Sequence, residues 1–527
     1  MIQFSKKGQI MNYAKKIIVA SILSSILNSH AYGFGLSAVS FFNPRSQSTN
    51  AAKELVGWHR YINRYDCKDF YGAISLTPSF GQILRAKNVA FALFDTEILE
   101  ITGSLVPNRG CNDILADYFG LSSAFDSIVC LKPFMRTAIL DFDSYFALGD
   151  FYLRVHAPFV WVRNQLGVQE EVFDDGLSTL YPAQYMDFEA IPAPAPSFGQ
   201  AVRGGFTWGQ VTQPLNFGKF NCSQAISGMS DVQFALGWNV VNNKYGFAGF
   251  NLRFSAPTGS RPKSEFLFEP IVGNGKHWEF GAGFTGRVLL WEKDGEQEFS
   301  FFADLNVTHL FNAAQRRSFD FKVNGFGSRY ILAKEFDDAG NYTGNSLPAI
   351  NITTLPVKVQ NSIQIDMALM FGYTYNNLVI DIGYNLWFRS HDIICLSQGL
   401  PLNRYGLKGI QNVTNGVGNP IPNTQTETAT LHGNNLSEQA DVADLNPPVF
   451  INTSDLDLTS ASYPRVLTNK FFGHIGTQWP DCYGNYTPFF GIGGEVEFEG
   501  INPRNQILPS KNTLSQWSIW LKGGIGF

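Results

Sequence analysis

Leu514 to Phe527 reads L-S-Q-W-S-I-W-L-K-G-G-I-G-F. Successive side chains of a β-strand point to opposite faces, so Trp517, Ile519, Leu521, Ile525 and Phe527 share one face while Gln516, Ser518, Lys522, Gly524 and Gly526 share the other. One face is greasy and the other is polar or bare. The termini of soluble domains usually fray into polar tails, whereas this chain stops on an aromatic residue of an amphipathic strand.

The opposite end points to export. Lys15 and Lys16 precede an apolar run from Ile17 to Leu27, followed by Ser29-His30-Ala31, which is the charged, apolar and small-x-small order of a secretory signal. Residues 1–31 are therefore expected to be removed, with Met1 and Met11 both open as the start. The run is shorter than the roughly 20 residues of a transmembrane helix, and no later stretch supplies one. With both ends read, the last strand resembles the C-terminal signal of Gram-negative outer-membrane β-barrel proteins, which end in Phe after apolar residues at alternate positions; Gly523 departs from that pattern. The resemblance implies an outer-membrane location reached after signal-peptide export, contact with outer-membrane lipid, and recognition of Trp517, Ile519, Leu521, Ile525 and Phe527 by the barrel-assembly machinery. It covers one strand and names no substrate.

Composition agrees with an all-β chain. Aromatic residues make up 14% of it, with 46 Phe, and there are 50 Gly; aromatics favour strands, and glycine permits turns and close packing. Four lysines leave with the signal, so the 39 Lys and Arg become 35 against 44 Asp and Glu. That balance argues against a nucleic-acid partner, which calls for basic patches.

Residues 32–66 precede the first strand. Ser48-Thr49-Asn50 are good N-cap types, and Ala51, Leu55, Trp58 and Ile62 fall on one helical stripe. A short amphipathic helix is expected, in a segment that either plugs a barrel or packs on its periplasmic end. Residues 67–527 form the barrel.

The strand reading is sharpest from Asp231 onward. Val232, Phe234, Leu236, Trp238 and Val240 alternate with polar or small residues, and a three-residue turn at 242–244 would pair Val232 with Phe254. Asp294-Gly295, a preferred two-residue hairpin turn, would pair Leu290 with Phe299. Asn376-Asn377 would pair Tyr375 with Leu378. F-N-L-R-F-S-A-P at 250–257 repeats the pattern of F-Y-L-R-V-H-A-P at 151–158. A less regular pair of strands is expected at Ala201–Val211 and Leu215–Cys222. These runs reach membrane-spanning length, about 9–11 residues, and tight turns alternate with long connections, as in barrels with short periplasmic turns and long extracellular loops. The predicted fold is a transmembrane antiparallel up-and-down β-barrel of about 14 strands, within a range of 12 to 16.

A barrel of that size leaves an aqueous interior. The inward phase places Arg154, His156, Arg253, Arg287, Arg389 and Lys522 toward the lumen with Glu279, Asp304, Asp366, Asp381, Glu495 and Glu497. Such residues either line a pore that sorts solutes or pair across strands to hold the wall together. The leading expectation is a porin-like channel for passive diffusion of small hydrophilic solutes. The alternatives are a transporter of hydrophobic compounds, resembling the long-chain fatty-acid channels, and a structural or adhesive surface barrel. No zincin, nucleophile-elbow or phosphate-loop motif is present, so neither enzyme activity nor a cofactor is expected. Asp455 and Asp457 are too few for a calcium site, and no metal is expected. Of six cysteines, Cys111 and Cys130 are the disulfide candidates for an oxidising compartment.

Overall fold

The computed structural model describes residues 38–66, 69–107, 109–110, 113–177, 195–220, 222–408, 450–479, 486–499 and 514–527, with the backbone of two short strand pieces at 413–414 and 420–421. The expected signal peptide lies outside the described residues.

Twelve strands make the wall: β1 (Phe70–Ile83), β2 (Phe134–Leu148), β3 (Phe151–Gln165), β4 (Val232–Asn243), β5 (Gly246–Ala256), β6 (Glu279–Lys293), β7 (Gln297–Ser318), β8 (Thr354–Tyr375), β9 (Leu378–Arg389), β10 (Val466–Gln478), β11 (Thr487–Glu499) and β12 (Gln516–Gly526). Each pairs antiparallel with its neighbours in sequence, and β12 returns to β1 through Ile525↔Ile74 and Ile519↔Phe80. The sheet is closed, so it has no edge whose backbone groups would be left unsatisfied in a bilayer.

Two further strands join the same sheet, Gln224–Met229 on β3 and Asp392–Leu396 on β8. The expected strands at Ala201–Val211 and Leu215–Cys222 are not part of the wall. A helical turn at Phe198–Ala201, capped by Ser197, opens that stretch. Gly204 and Gly205 then take positive φ of 69° and 94°, which breaks an extended run, and Val202, Trp208, Val211, Leu215 and Phe220 are buried among the loops.

Register follows side-chain phase, with local adjustments. Tyr375 pairs with Leu378, and the same register continues to Ile365↔Phe388. The Asp294 turn has three residues rather than two, Lys293 facing Gln297, and a bulge near Leu290 absorbs the extra one. Beyond the bulge Val288↔Phe301 and Phe284↔Leu305 restore the expected alignment. In the β4–β5 hairpin Asn243 faces Gly246, and an irregularity at Ala248/Gly249 leaves Val232 opposite Ala256 instead of Phe254. Both corrections shift the pairing without exchanging the faces, because an extra residue at a bulge compensates the turn.

Leu236, Trp238, Phe250, Leu252, Phe280, Ile382, Phe471 and Ile492 are exposed on the outer face. Long connections fold over one end of the barrel. They include a four-stranded sheet (Ile98–Thr102, Ile114–Leu115, Asp126–Leu131, Val168–Asp174) and a three-stranded sheet (Leu332–Phe336, Tyr342–Pro348, Tyr405–Leu407). An apolar core built on Phe119, Phe125, Phe198, Trp208, Tyr330 and Leu332 holds this canopy together and also takes in Val39 and Phe42. At the other end the turns after β2, β4, β6 and β8 are tight.

Candidate functional site

The segment from Ala38 to Asp66 runs inside the barrel from the canopy to the tight-turn end. At the top Val39 N donates to Ala92 O and Ser40 N to Ser460 O. At the bottom Asn63 N donates to the Tyr145 hydroxyl, and Asn242 Nδ2 to Arg64 O. Midway lies α1 (Ala51–Leu55), whose N-cap Asn50 accepts a hydrogen bond from Lys53 N. Five residues are far too few for a self-supporting helix, so the wall holds this one. Ala51 N donates to Asp366 Oδ2 at 2.9 Å, placing a carboxylate at the helix N-terminus, where the dipole favours it. Ala51, Leu55, Trp58 and Ile62 are all buried, but the expected amphipathic stripe is not formed: the helix ends at Leu55, Val56 is extended, and Lys53 and Glu54 are buried with the apolar residues.

Ion pairs tie the segment to the wall on several sides. Arg45 reaches Asp366 on β8 at 2.8 Å and Glu497 on β11 at 3.3 Å. Lys53 reaches Asp141 on β2 at 2.9 Å and donates to Ser79 on β1. Glu54 accepts from Arg253 on β5 at 2.9 Å. Lower down, Gly57 turns with φ of 80° and donates its N–H to Asp381 on β9. A Cβ there would stand 2.8 Å from the His474 ring, so glycine meets both the conformation and the space. His59 and His474 flank that carboxylate, each at 3.4 Å.

Every charged residue proposed from strand phase points inward, and each has a partner. Arg154 pairs with Asp304 at 3.1 Å and lies over the Tyr145 and Tyr152 rings. His156 Nδ1 meets Asp143 at 2.6 Å. Glu279 accepts from Asn274 Nδ2, Arg287 pairs with Glu298, and Arg389 donates to Asn43 O. Glu495 pairs with Lys470 at 3.0 Å, Glu497 also accepts from Gln516, and Lys522 donates to Lys53 O while lying over Trp58. Asp366 and Asp381 are held by the inner segment as described. Phase reading missed Arg45, Lys53, Glu54, His59, Asp141, Asp143 and Lys470. Asp141 and Asp143 share the inward phase of β2 and were legible there; nothing local marks Arg45 or Lys53 as buried.

A cavity of about 20 Å³ lies between the inner segment and the wall beside Thr49, Glu54, Arg253 and Asp366. A cavity of about 50 Å³ lies beside Arg45, Lys53 and Lys470, and one of about 10 Å³ beside Glu54, Arg154 and Arg253. Cys111 lies outside the described residues, so its pairing with Cys130 stays an expectation; Cys130, Cys222 and Cys395 are not bonded to one another. Asp455 and Asp457 serve local turns, accepting from Asn452 N and Thr459 N.

A closed antiparallel barrel with an apolar outer face and charged groups paired within is a transmembrane β-barrel of the outer-membrane kind, here with a segment of its own chain through the lumen. Neither a family model nor a curated protein matches the sequence. Similar solved structures include an outer membrane channel from Pseudomonas putida F1, at 9% identity and a TM-score of 0.33, covering 86% of this chain and 96% of that one. They also include a FadL homologue of Pseudomonas aeruginosa, at 8% identity and 0.27, covering 92% and 99%, and a deletion mutant of the TodX monoaromatic hydrocarbon channel, at 8% and 0.30, covering 93% and 97%.

Proposed function

We propose that this chain is a plugged outer-membrane channel, acting without enzymatic chemistry, in which residues 38–66 close a polar lumen that conducts small hydrophilic solutes once they shift. The carrying observation is the nature of the plug's attachment. Beside the apolar packing of Leu55, Val56, Trp58 and Ile62 on the wall, it is tied by ion pairs and hydrogen bonds from Arg45, Asn50, Lys53, Glu54 and Gly57, contacts that water can replace as the plug moves. The surface it would uncover is charged in both signs. This replaces the open diffusion pore expected from strand number, since the interior is occupied. A path for hydrophobic compounds has less support: the aromatic cavity in the canopy, lined by Phe119, Phe206, Trp208 and Tyr330, has room for about 10 Å³.

Planar-bilayer recording tests the proposal. The parent barrel should be mostly closed. Lys53→Gln, which keeps a hydrogen-bond donor near Asp141 and Ser79 but removes the charge, should raise the frequency of opening. A folded variant that is as silent as a silent parent would favour the structural-barrel reading instead.

A further inference from the structure

Arg136 on β2 and Arg163 on β3 stand directly opposite each other in register, and both are exposed. Like charges in that position destabilise a strand pair. Among the described residues the polar partners of the two guanidiniums are neutral: Arg136 Nε donates to Gln82 Oε1 at 3.2 Å, and Arg163 Nε to Ser223 Oγ at 2.8 Å. Among the described residues no carboxylate pairs with either. Lys132, exposed and four residues before Arg136, adds a third cation.

Their height on the barrel gives the pair meaning. From Leu148 up β2, the outward residues are Phe146, Ser144, Phe142, Leu140 and Ala138, and then Arg136. From Phe151 up β3 they are Leu153, Val155, Ala157, Phe159 and Trp161, and then Arg163. On β1 the last apolar outward residue is Phe80, packed against Trp517 of β12, and the next is Gln82, opposite Arg136. The arginines thus stand at the upper margin of an apolar belt edged by aromatic rings, with Arg136 over the ring of Phe134, the next outward residue of β2, at 4.6 Å, and Leu84 exposed beyond Gln82. About 12 residues at 3.3 Å each and a tilt of about 40° put them roughly 30 Å above the tight-turn end, just past an apolar band of about 25 Å. They lie at the headgroup level on the long-loop side.

We propose that Arg136 and Arg163, with Lys132, bind the phosphate groups of a phosphorylated lipid in the outer leaflet, whose acyl chains lie along Leu140, Phe142 and Phe159. A phosphate accepts from two guanidinium forks at once and removes their mutual repulsion. An isolated arginine at this level would need no such ligand, because interfacial anchoring explains it; a registered pair is not explained that way. The inference rests on the membrane placement of the barrel and is independent of whether the lumen conducts.

The test is native mass spectrometry of the purified barrel in neutral detergent, titrated with bisphosphorylated lipid A. The parent should retain the lipid, and Arg136→Gln/Arg163→Gln should lose at least about tenfold in affinity while still showing heat-modifiable migration. Lys358→Gln, which removes an exposed charge on β8, should bind as the parent does. Lipid A stripped of its phosphates should bind the parent no better than it binds the double variant, and millimolar inorganic phosphate should not displace the intact lipid. Equal retention by the folded double variant overturns the site, as does equal binding of the stripped lipid or an equal loss in Lys358→Gln. Full displacement by inorganic phosphate overturns the lipid as its ligand.

Discussion

Arg45 and Asp366 lie 321 positions apart in sequence and 2.8 Å apart in the fold. The contact joins the N-terminal segment to a strand in the second half of the chain, and Asp366 also takes the N–H of Ala51. One carboxylate therefore positions both the stretch before α1 and its first residue.

Removing one partner of a buried pair leaves the other a buried charge without its counter-charge, at a cost of about 3–5 kcal/mol. Arg45→Met is expected to lower barrel stability by that order, since Asp366 and Glu497 both lose it. Urea unfolding followed by gel mobility measures this. A loss below about 1 kcal/mol would show that water reaches the two carboxylates.

Arg154→Glu places a carboxylate beside Asp304, where the parent has a 3.1 Å ion pair. The expected outcome is a reduced assembled fraction rather than a folded barrel with altered selectivity. Exchanging the two, Arg154→Asp with Asp304→Arg, should recover part of the loss. If the exchange recovers nothing, the tyrosine contacts of Arg154 matter more than the pair.

On the wall, Ile382 faces outward and is 64% exposed; Ile382→Arg should cost about 2–4 kcal/mol if the position is near the bilayer midplane. Its inward neighbour Gly383 offers no milder site. A Cβ there would lie 2.2 Å from the Phe472 ring and 2.5 Å from Leu369 O, so Gly383→Ala should damage assembly as well. Stability of the two variants in matched detergent decides it.

Acid should weaken the canopy end through His277. Burial holds its pKa down to about 4, against a usual value of 6.5, with Nδ1 bonded to Phe311 O. Between those values the native state binds fewer protons than the unfolded one, so stability falls as pH drops from about 6.5 to about 4 and changes no further below. The full effect is on the order of 3 kcal/mol. Asp231 works in the opposite sense. Desolvation raises its pKa to about 7 from a usual 3.8, so its contribution is lost as pH rises through that window. The parent should therefore be compared with His277→Gln at each pH: the difference between them should shift toward the variant on acidification, and a constant difference would refute the assignment.

Strand length, the alternation of tight turns with long connections and the pattern of the last strand together pointed to an antiparallel barrel in the sequence, and side-chain alternation determined which face is apolar and the inward direction of Arg154, Asp304, Asp366 and Lys522. A period of two is local, and a bulge or longer turn such as those at Leu290 and Ala248 moves a register without exchanging the faces. The strand number needed the structure, because the irregular stretch 201–222 carries buried apolar residues whether it enters a wall or crosses a canopy. The filling of the lumen was likewise decided only in three dimensions. Arg45, Lys53 and Glu54 read in sequence as ordinary charges around a short helix, and their burial depends on carboxylates and a guanidinium supplied by β2, β5, β8 and β11. Such pairing follows from closure of the sheet, which brings those strands around one segment, and no local pattern encodes it.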